Sequence, residues 1–511
     1  MSKVFKNINV GINEDLKEKL QYLVPDYSDY RILKQSVDAR QRHHPHFVYT
    51  LEIAGPNEKL SSLSFEIETL KTPPKDKPII VGTGPAGLFA AIRLLEHGIP
   101  SIIFERGSPA EKRILGINRF WRYGNLDPRN NVCFGEGGAG LYSDGKLITR
   151  IKSDHIPYVM NRLVQFGAPK EIEFLSNPHV GSDKIRRIIP KIRNYLLSHH
   201  CEIHFENQVV DFISDDKSIT GVITEKNQKY YSSNIVLATG HSAQDILLTL
   251  KNKNVVMEGK SFALGVRIEH PQKLINQIQF RDFSGHTALG SANYKLTYHD
   301  EKTNTGVYSF CMCPGGFVLS SGTEPGGLVC NGMSNFNRNS YWANSAIVVS
   351  IDHGKWFGKN VWGGMNFRKQ LEERAFQMVQ KQGGTKQLPS QKLTDFLKNK
   401  VGDHLKGSSP SGNIPINLRD LLPDEISQFL VRGIENFQTK MKGFISPEAQ
   451  FYAIESRTSC PLRITRDEIS LESVSHQNLF PTGEGAGYAG GITSAACDGV
   501  RVADKIYEKF K

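Results

Sequence analysis

Three glycines, Gly82, Gly84 and Gly87, and an acid at Glu105 stand at a spacing suited to holding a dinucleotide. The chemistry is recognition of phosphate and ribose rather than bond making. Gly82 permits a tight turn, Gly84 lets backbone approach a pyrophosphate, and Gly87 lets a helix lie close on a strand. The first N–H groups and the positive dipole end of that helix face the phosphates. Glu105, 18 residues past Gly87, can accept hydrogen bonds from ribose hydroxyls. A lone G-x-G-x-x-G means little. Here an apolar run, Ile79–Val81, precedes it, a helix is predicted over 88–96, and a second strand over 101–104 ends at the acid.

A second set of residues lies near the C-terminus. Gly483 and Glu484 end a predicted strand, and after a glycine loop a helix is predicted from Gly491 and Ile492 to Phe510. A carboxylate at a strand end can take a ribityl hydroxyl. A helix N-terminus can face the edge of a flavin where negative charge develops on reduction. Between the two sets, the apolar run 235–238 ends in the small-residue turn Thr239-Gly240. In this order the three segments resemble the FAD-binding domain of glutathione-reductase-type flavoproteins.

Two more segments could carry chemistry. The run 133–147 contains G-x-G-x-x-G, with Gly137 and Gly138 at its centre and Lys146 near its end. Asn130–Cys133 is a poor strand and Ser143-Asp144-Gly145 would break a helix, so a second nucleotide domain is not expected. The glycines instead suit close approach to a flavin, and Lys146 could stabilise charge on a reduced one. Cys311-Met312-Cys313 could be a redox dithiol, which needs a positive field to make a thiolate. Its ring would be strained, and no His or Lys stands beside it in the sequence, so a structural pair taking no electrons is the expectation. No metal motif stands out; three histidines in 40–46 read as a basic turn.

These residues need elements to hold them. A small α+β unit is expected over 1–74, from strands near 4–10, 30–39 and 47–53 and a helix over 13–23. A proline-rich linker, 72–78, follows. The first part of the FAD-binding domain is expected over 75–260, a substrate-side domain over 261–450, and the rest of the FAD-binding domain over 451–511. Within these, 150–200 and 366–440 read as helical, 203–237 as a small sheet, and 261–345 as glycine- and strand-rich. The fold class is α/β: a Rossmann-like FAD-binding domain of the glutathione-reductase type with an inserted α+β domain.

Composition sets bounds. With 511 residues, 39% hydrophobic and 23% charged, the chain has room for two or three globular domains. Seven cysteines are too few and too scattered for a disulfide framework, which points to a reducing compartment. No signal peptide or membrane span is evident, so the cytoplasm is expected. The net charge of +11 could mean an anionic partner, but acids and bases nearly balance over 1–77 and the lysines of 381–406 suit a solvated face. Nucleic acid is therefore not the expected partner.

At this length of motif the chain resembles the FAD-dependent dehydrogenases of bacteria and plastids, a branch of the two-dinucleotide-fold flavoproteins. The resemblance is carried by 38–40, the GTGPAG turn, FGEGGAGLYSDGKL, 238–243, 265–271, YSFCMCPGG, 331–334, 343–346, 455–459 and GEGAGYAGGITSAACDG. Gln244, Cys460 and the run 338–342 depart from the family's usual residues. The resemblance implies FAD, bound by Gly82, Gly84, Pro85, Ala86, Gly87, Glu105, Arg106, Gly137, Gly138, Lys146, Val209, Thr239, Gly240, Gly483, Glu484, Gly491 and Ile492. The candidate catalytic residues are Lys146, Cys311 and Cys313. The expected function is an oxidoreductase passing hydride or electrons between flavin N5 and a small-molecule substrate or NAD(P)H. Two other readings stand beside it: a flavoprotein that modifies RNA or another macromolecule, and a flavin-bound interaction module working through 1–74.

Overall fold

A computed structural model describes residues 2–40, 44–61, 64–403 and 406–511. The N-terminal unit is an antiparallel sheet of Lys3–Gly11, His46–Ala54 and Asp29–Asp38, in that order, with the helix Leu16–Leu23 against it. Asp15 starts the helix by accepting the Lys17 N–H at 2.6 Å. Val10, Leu20, Leu51 and Ile53 form its small core. One edge of this sheet is used: Gln35 N–H donates to Phe174 O at 2.9 Å, and Ser176 N–H to Gln35 O at 2.8 Å. The segment that follows is no free tether, because Phe65, Ile67 and Leu70 pack on the core of the next domain.

That domain is built on a parallel sheet in the order Leu479–Pro481, Ile235–Leu237, Ile79–Val81, Ile102–Phe104, Glu202–His204. Its three middle and edge strands Ile79–Val81, Ile235–Leu237 and Leu479–Pro481 are buried throughout, which is why they read as continuous apolar runs. The helices Pro85–Glu96 and Ile492–Phe510 cross closely on it: a Cβ on Gly499 would lie 2.1 Å from Ala86 O. The first helix begins at Pro85 rather than 88, since proline at the first helical position loses no hydrogen bond. A three-stranded antiparallel sheet, 209–231, stands beside it.

A seven-stranded sheet forms the other layer, in the order Thr297–Asp300, Thr305–Cys313, Trp342–Ile351, Phe262–Pro271, Gln450–Glu455, Leu388–Lys392, Asn413–Pro415. The helices Gly363–Lys381 and Asp424–Lys440 share a core with it through Leu371, Ala375, Ile434 and Phe437. Two expectations are corrected. The stretch 366–440 is not helical throughout, because Leu388–Lys392 and Asn413–Pro415 extend this sheet. A boundary at 450 would cut off an inner strand, because Gln450–Glu455 pairs on both sides. Among the described residues no helix is long and apolar enough to cross a membrane.

Candidate functional site

A cavity of about 1140 Å³ is lined by residues of both large sheets and of the loops after the parallel strands. Gly82, with φ of 108°, turns the chain where a Cβ would lie 2.4 Å from Ala238 O. A Cβ on Gly87 would lie 2.0 Å from Gly82 O, so this glycine lets helix meet strand. Gly84 differs from both. Its φ of −71° and ψ of −179° suit any residue, and a Cβ there would meet no atom within 4 Å. The space beside it is the cavity.

Gly490 is equally free of protein neighbours, as are Gly240 and Gly491. All four line the cavity, together with Pro85, Ala86, Thr239 and Ile492. Neither the helix after Gly84 nor the helix after Gly491 has a side-chain cap. Their first turns therefore offer uncapped amides and the positive ends of two dipoles at one cavity.

The structure corrects the expectation for Glu105. Oε2 accepts from the Thr83 N–H at 3.1 Å and the Thr83 hydroxyl at 2.6 Å. Oε1 accepts from the Gly107 and Gly135 N–H groups at 2.9 and 3.0 Å. A carboxylate has about four lone-pair positions, and protein donors fill them. Glu105 thus ties three loops together at the cavity wall.

Gly87, Gly137 and Gly483, unlike Glu105, do not line the cavity. Gly137 N–H donates to Thr83 O at 2.9 Å, and Gly483 N–H to Asp498 Oδ2 at 2.8 Å. Gly138 and Val209 do line it, as does Arg106, which lies over the Phe134 ring and pairs with Asp245 at 3.0 Å.

The glycine loop 131–138 is held by Arg113, a residue the sequence did not single out. Its guanidinium is fully buried and donates to the carbonyls of Asn131, Val132, Glu136 and Gly138 at 2.7, 3.0, 2.7 and 2.9 Å. Beyond the loop, Lys146 runs along the cavity and donates to Met312 O. Asp144, buried beside it, is paired with Arg338 at 2.5 Å.

Cys311 lines the cavity and Cys313 is buried; both are free thiols. The reasoning that left them without a nearby cation is corrected, because Lys146 and Arg267 come to them through the fold. Arg267 is wholly buried and pairs with Glu455 at 2.7 Å.

A further wall was not legible either. Arg457 pairs with Glu372 at 2.7 Å and donates to Ser242 Oγ at 3.0 Å, and that hydroxyl lies 2.8 Å from His241 Nδ1. Burial, with the charges of Arg457 and Arg368, pulls the His241 pKa down to about 3, so its ring is neutral. The partners lie 215 residues apart, which no local pattern reveals.

Glu484 lines the cavity, and its carboxyl makes no hydrogen bond or ion pair among the described residues. Burial pushes its pKa up to about 7, with Lys260 acting against that shift. No cluster of three or more metal-ligating side chains occurs among the described residues. Residues 41–43 of the basic turn lie outside them.

Residues 261–458 match the model of a family described as FAD-dependent protein, C-terminal domain-like, and residues 10–54 match a domain of unknown function. A protein of Clostridium beijerinckii, described as uncharacterized, is 40% identical over 528 residues, covering 99% of this chain and 98% of that protein. The chain belongs to one family with the Clostridium beijerinckii protein, and its residues 261–458 belong to the FAD-dependent C-terminal domain family. FAD is its cofactor. The FAD-dependent monooxygenase cctM of Talaromyces islandicus is 23% identical over 207 residues, 39% of this chain and 48% of that one. Among solved structures, the flavin-dependent brominase Bmp2 is 12% identical with a TM-score of 0.37, over 86% of this chain and 79% of that one. At that score the likeness carries no argument.

The residues at the cavity fit this FAD-dependent family. Gly84 and Gly490 have neither a backbone nor a packing reason to be glycine, and the space beside both is the cavity. Glu484 is a carboxyl waiting for donors. Glu484→Ala is expected to weaken FAD retention by about 1.5–3 kcal/mol, the range for hydrogen bonds to charged groups. Equilibrium dialysis measures it, and an unchanged dissociation constant would move Glu484 out of the site.

The same carboxyl gives a pH signature in the apoprotein. Its folded pKa of about 7 lies above the unfolded value of about 4.3. Between them the folded state holds the proton more often than the unfolded chain. Stability from this group is therefore full below the unfolded value and is lost as pH rises through 7. Glu484→Gln should flatten that fall in thermal unfolding; an unaltered slope would show that the carboxyl is not desolvated.

Proposed function

We propose that this chain is an FAD-dependent oxidoreductase, dehydrogenase-like, with an FAD-binding domain of the glutathione-reductase type. It would pass hydride or an electron pair between the flavin and a small molecule laid against the seven-stranded sheet. The observation that carries this reading is the continuity of the cavity. One end is made of glycine loops and two uncapped helix ends, and the other of the sheet face bearing Thr297, Tyr308 and Phe310. A site for the cofactor alone would not need the second half.

FAD, when bound, supplies two-electron redox chemistry. The chain's own residues position and tune it. The amides after Gly84 would hold the pyrophosphate. Glu484 would take the ribityl hydroxyls. The first turn of Ile492–Phe510 and the ammonium of Lys146 would favour negative charge that grows on reduction. Tyr308 and Phe310 give a planar substrate an apolar wall, and the exposed Arg150 and Lys295 beside it give cations at the mouth. NAD(P)H is the proposed reductant.

The purified protein should be yellow and release FAD, not FMN, on acid precipitation. Its visible flavin absorbance should bleach on anaerobic addition of NADPH or NADH. Released FMN would defeat the cofactor assignment, and a flavin that neither nucleotide bleaches would defeat the reductant.

A further inference from the structure

The strand Thr305–Cys313 breaks its register with Trp342–Ile351 between Phe310 and Cys313. Cys311 sits in that bulge with φ of 46°, a left-handed conformation that a residue with a Cβ keeps only where its surroundings impose it. The bulge places Cys311 at the cavity wall and leaves Cys313 buried. The Cys313 thiol donates to Cys311 O at 3.3 Å.

Charged groups reach the pair from several elements. Arg267 Nη1 is 4.0 Å from Cys313 Sγ and 3.4 Å from Cys311 O. Lys146, beyond the glycine loop, donates to the carbonyl of Met312 between the two cysteines. The facing acids are Asp144, committed to Arg338; Glu455, committed to Arg267; and Glu484. The hydrogen bond from Cys313, then Lys146 and Arg267, outweigh burial and draw the Cys311 thiol down to about 6, while Cys313 is driven up. One sulfur is poised to lose its proton and the other to keep it, the division found in nucleophile and partner thiols.

We propose that Cys311 and Cys313 are a redox-active dithiol that closes to a disulfide in a two-electron exchange with the FAD of the same cavity. In the forward step both S–H bonds are lost and one S–S bond forms. Two protons leave, and the oxidised flavin takes the two electrons. The reverse step opens the disulfide. A ring closed between residues two apart is strained and easily reduced, so the dithiol is the resting form. This rests on the flavin site proposed above, and the test separates the two.

The first arm uses protein stripped of flavin. Reduced apoprotein treated with one equivalent of diamide and digested without reductant should yield a peptide carrying both cysteines, lighter by two hydrogens. Iodoacetamide labelling of Cys311, followed by mass spectrometry, should show a pH midpoint near 6, moving upward in Lys146→Met. The second arm is an anaerobic dithionite titration of yellow protein in which the pair has first been oxidised with diamide. Wild type should take up about four electrons per FAD, and Cys311→Ser and Cys313→Ser about two. Absence of the linked peptide, a midpoint at that of an ordinary thiol, or a two-electron wild type would each overturn the dithiol. Protein that carries no flavin would overturn the cofactor reading and the exchange with it, while the apoprotein arm still reports on the thiols.

Discussion

Gly84→Val yields a folded protein without colour. Valine adopts the Gly84 backbone, φ −71° and ψ −179°, without strain, and its Cβ meets no protein atom within 4 Å. Folding should therefore be unaffected. The two added methyl groups instead enter the cavity where a pyrophosphate would lie, and FAD affinity should fall at least ~100-fold, about 3 kcal/mol. Flavin absorbance of the purified variant, with far-UV circular dichroism and thermal unfolding alongside, gives the result. Gly87→Ala is the control with the opposite signature. Its Cβ would lie 2.0 Å from Gly82 O, so it should damage folding itself. A yellow, fully loaded Gly84→Val would show that this loop does not hold the cofactor.

Arg113→Met should be the most destabilising single change near the site. Methionine replaces the stem but not the guanidinium. Four carbonyls, of Asn131, Val132, Glu136 and Gly138, lose their donor, the first three in buried hydrogen bonds. Each unsatisfied buried acceptor costs on the order of 1–3 kcal/mol, and partial relaxation of the loop brings the total to about 3–5 kcal/mol. The urea midpoint should fall accordingly, and what folds should hold FAD poorly because the loop 131–138 has lost its shape. A loss below about 1 kcal/mol would mean the loop satisfies itself in another way. The stem also explains a glycine: a Cβ on Gly135 would lie 2.5 Å from Arg113 Cδ.

What was legible in the sequence follows from the range over which each feature is specified. Gly82, Gly84 and Gly87 act within one strand–turn–helix, so their spacing reveals them. Glu484 and Gly491 stand out in the sequence for the same reason, and both line the cavity. Glu105 was found but its use was misread, because its donors come from Thr83, Gly107 and Gly135 in separate loops. Arg113, Arg267 and Arg457 were missed, because in a sequence a buried arginine looks like any surface one. The cations at Cys311 were missed because Lys146 precedes it by 165 residues in the chain. The strands Leu388–Lys392 and Asn413–Pro415 went unseen because three to five residues of mixed polarity make no periodic signal.

The order of strands in the parallel sheet has a consequence for how the chain is made. Leu479–Pro481 lies beside Ile235–Leu237, and the helix Ile492–Phe510 crosses Pro85–Glu96. The two helices, which line the cavity, are thus made far apart in time. At ordinary elongation rates of 5–20 residues per second, roughly 20–80 s separate them. Throughout that interval the helix Pro85–Glu96, buried over most of its length in the finished protein, has no partner from the C-terminus. The continuous stretch from Phe262 to Glu455 completes its own sheet first. On this order, the cavity is enclosed only once the helix Ile492–Phe510 has been made.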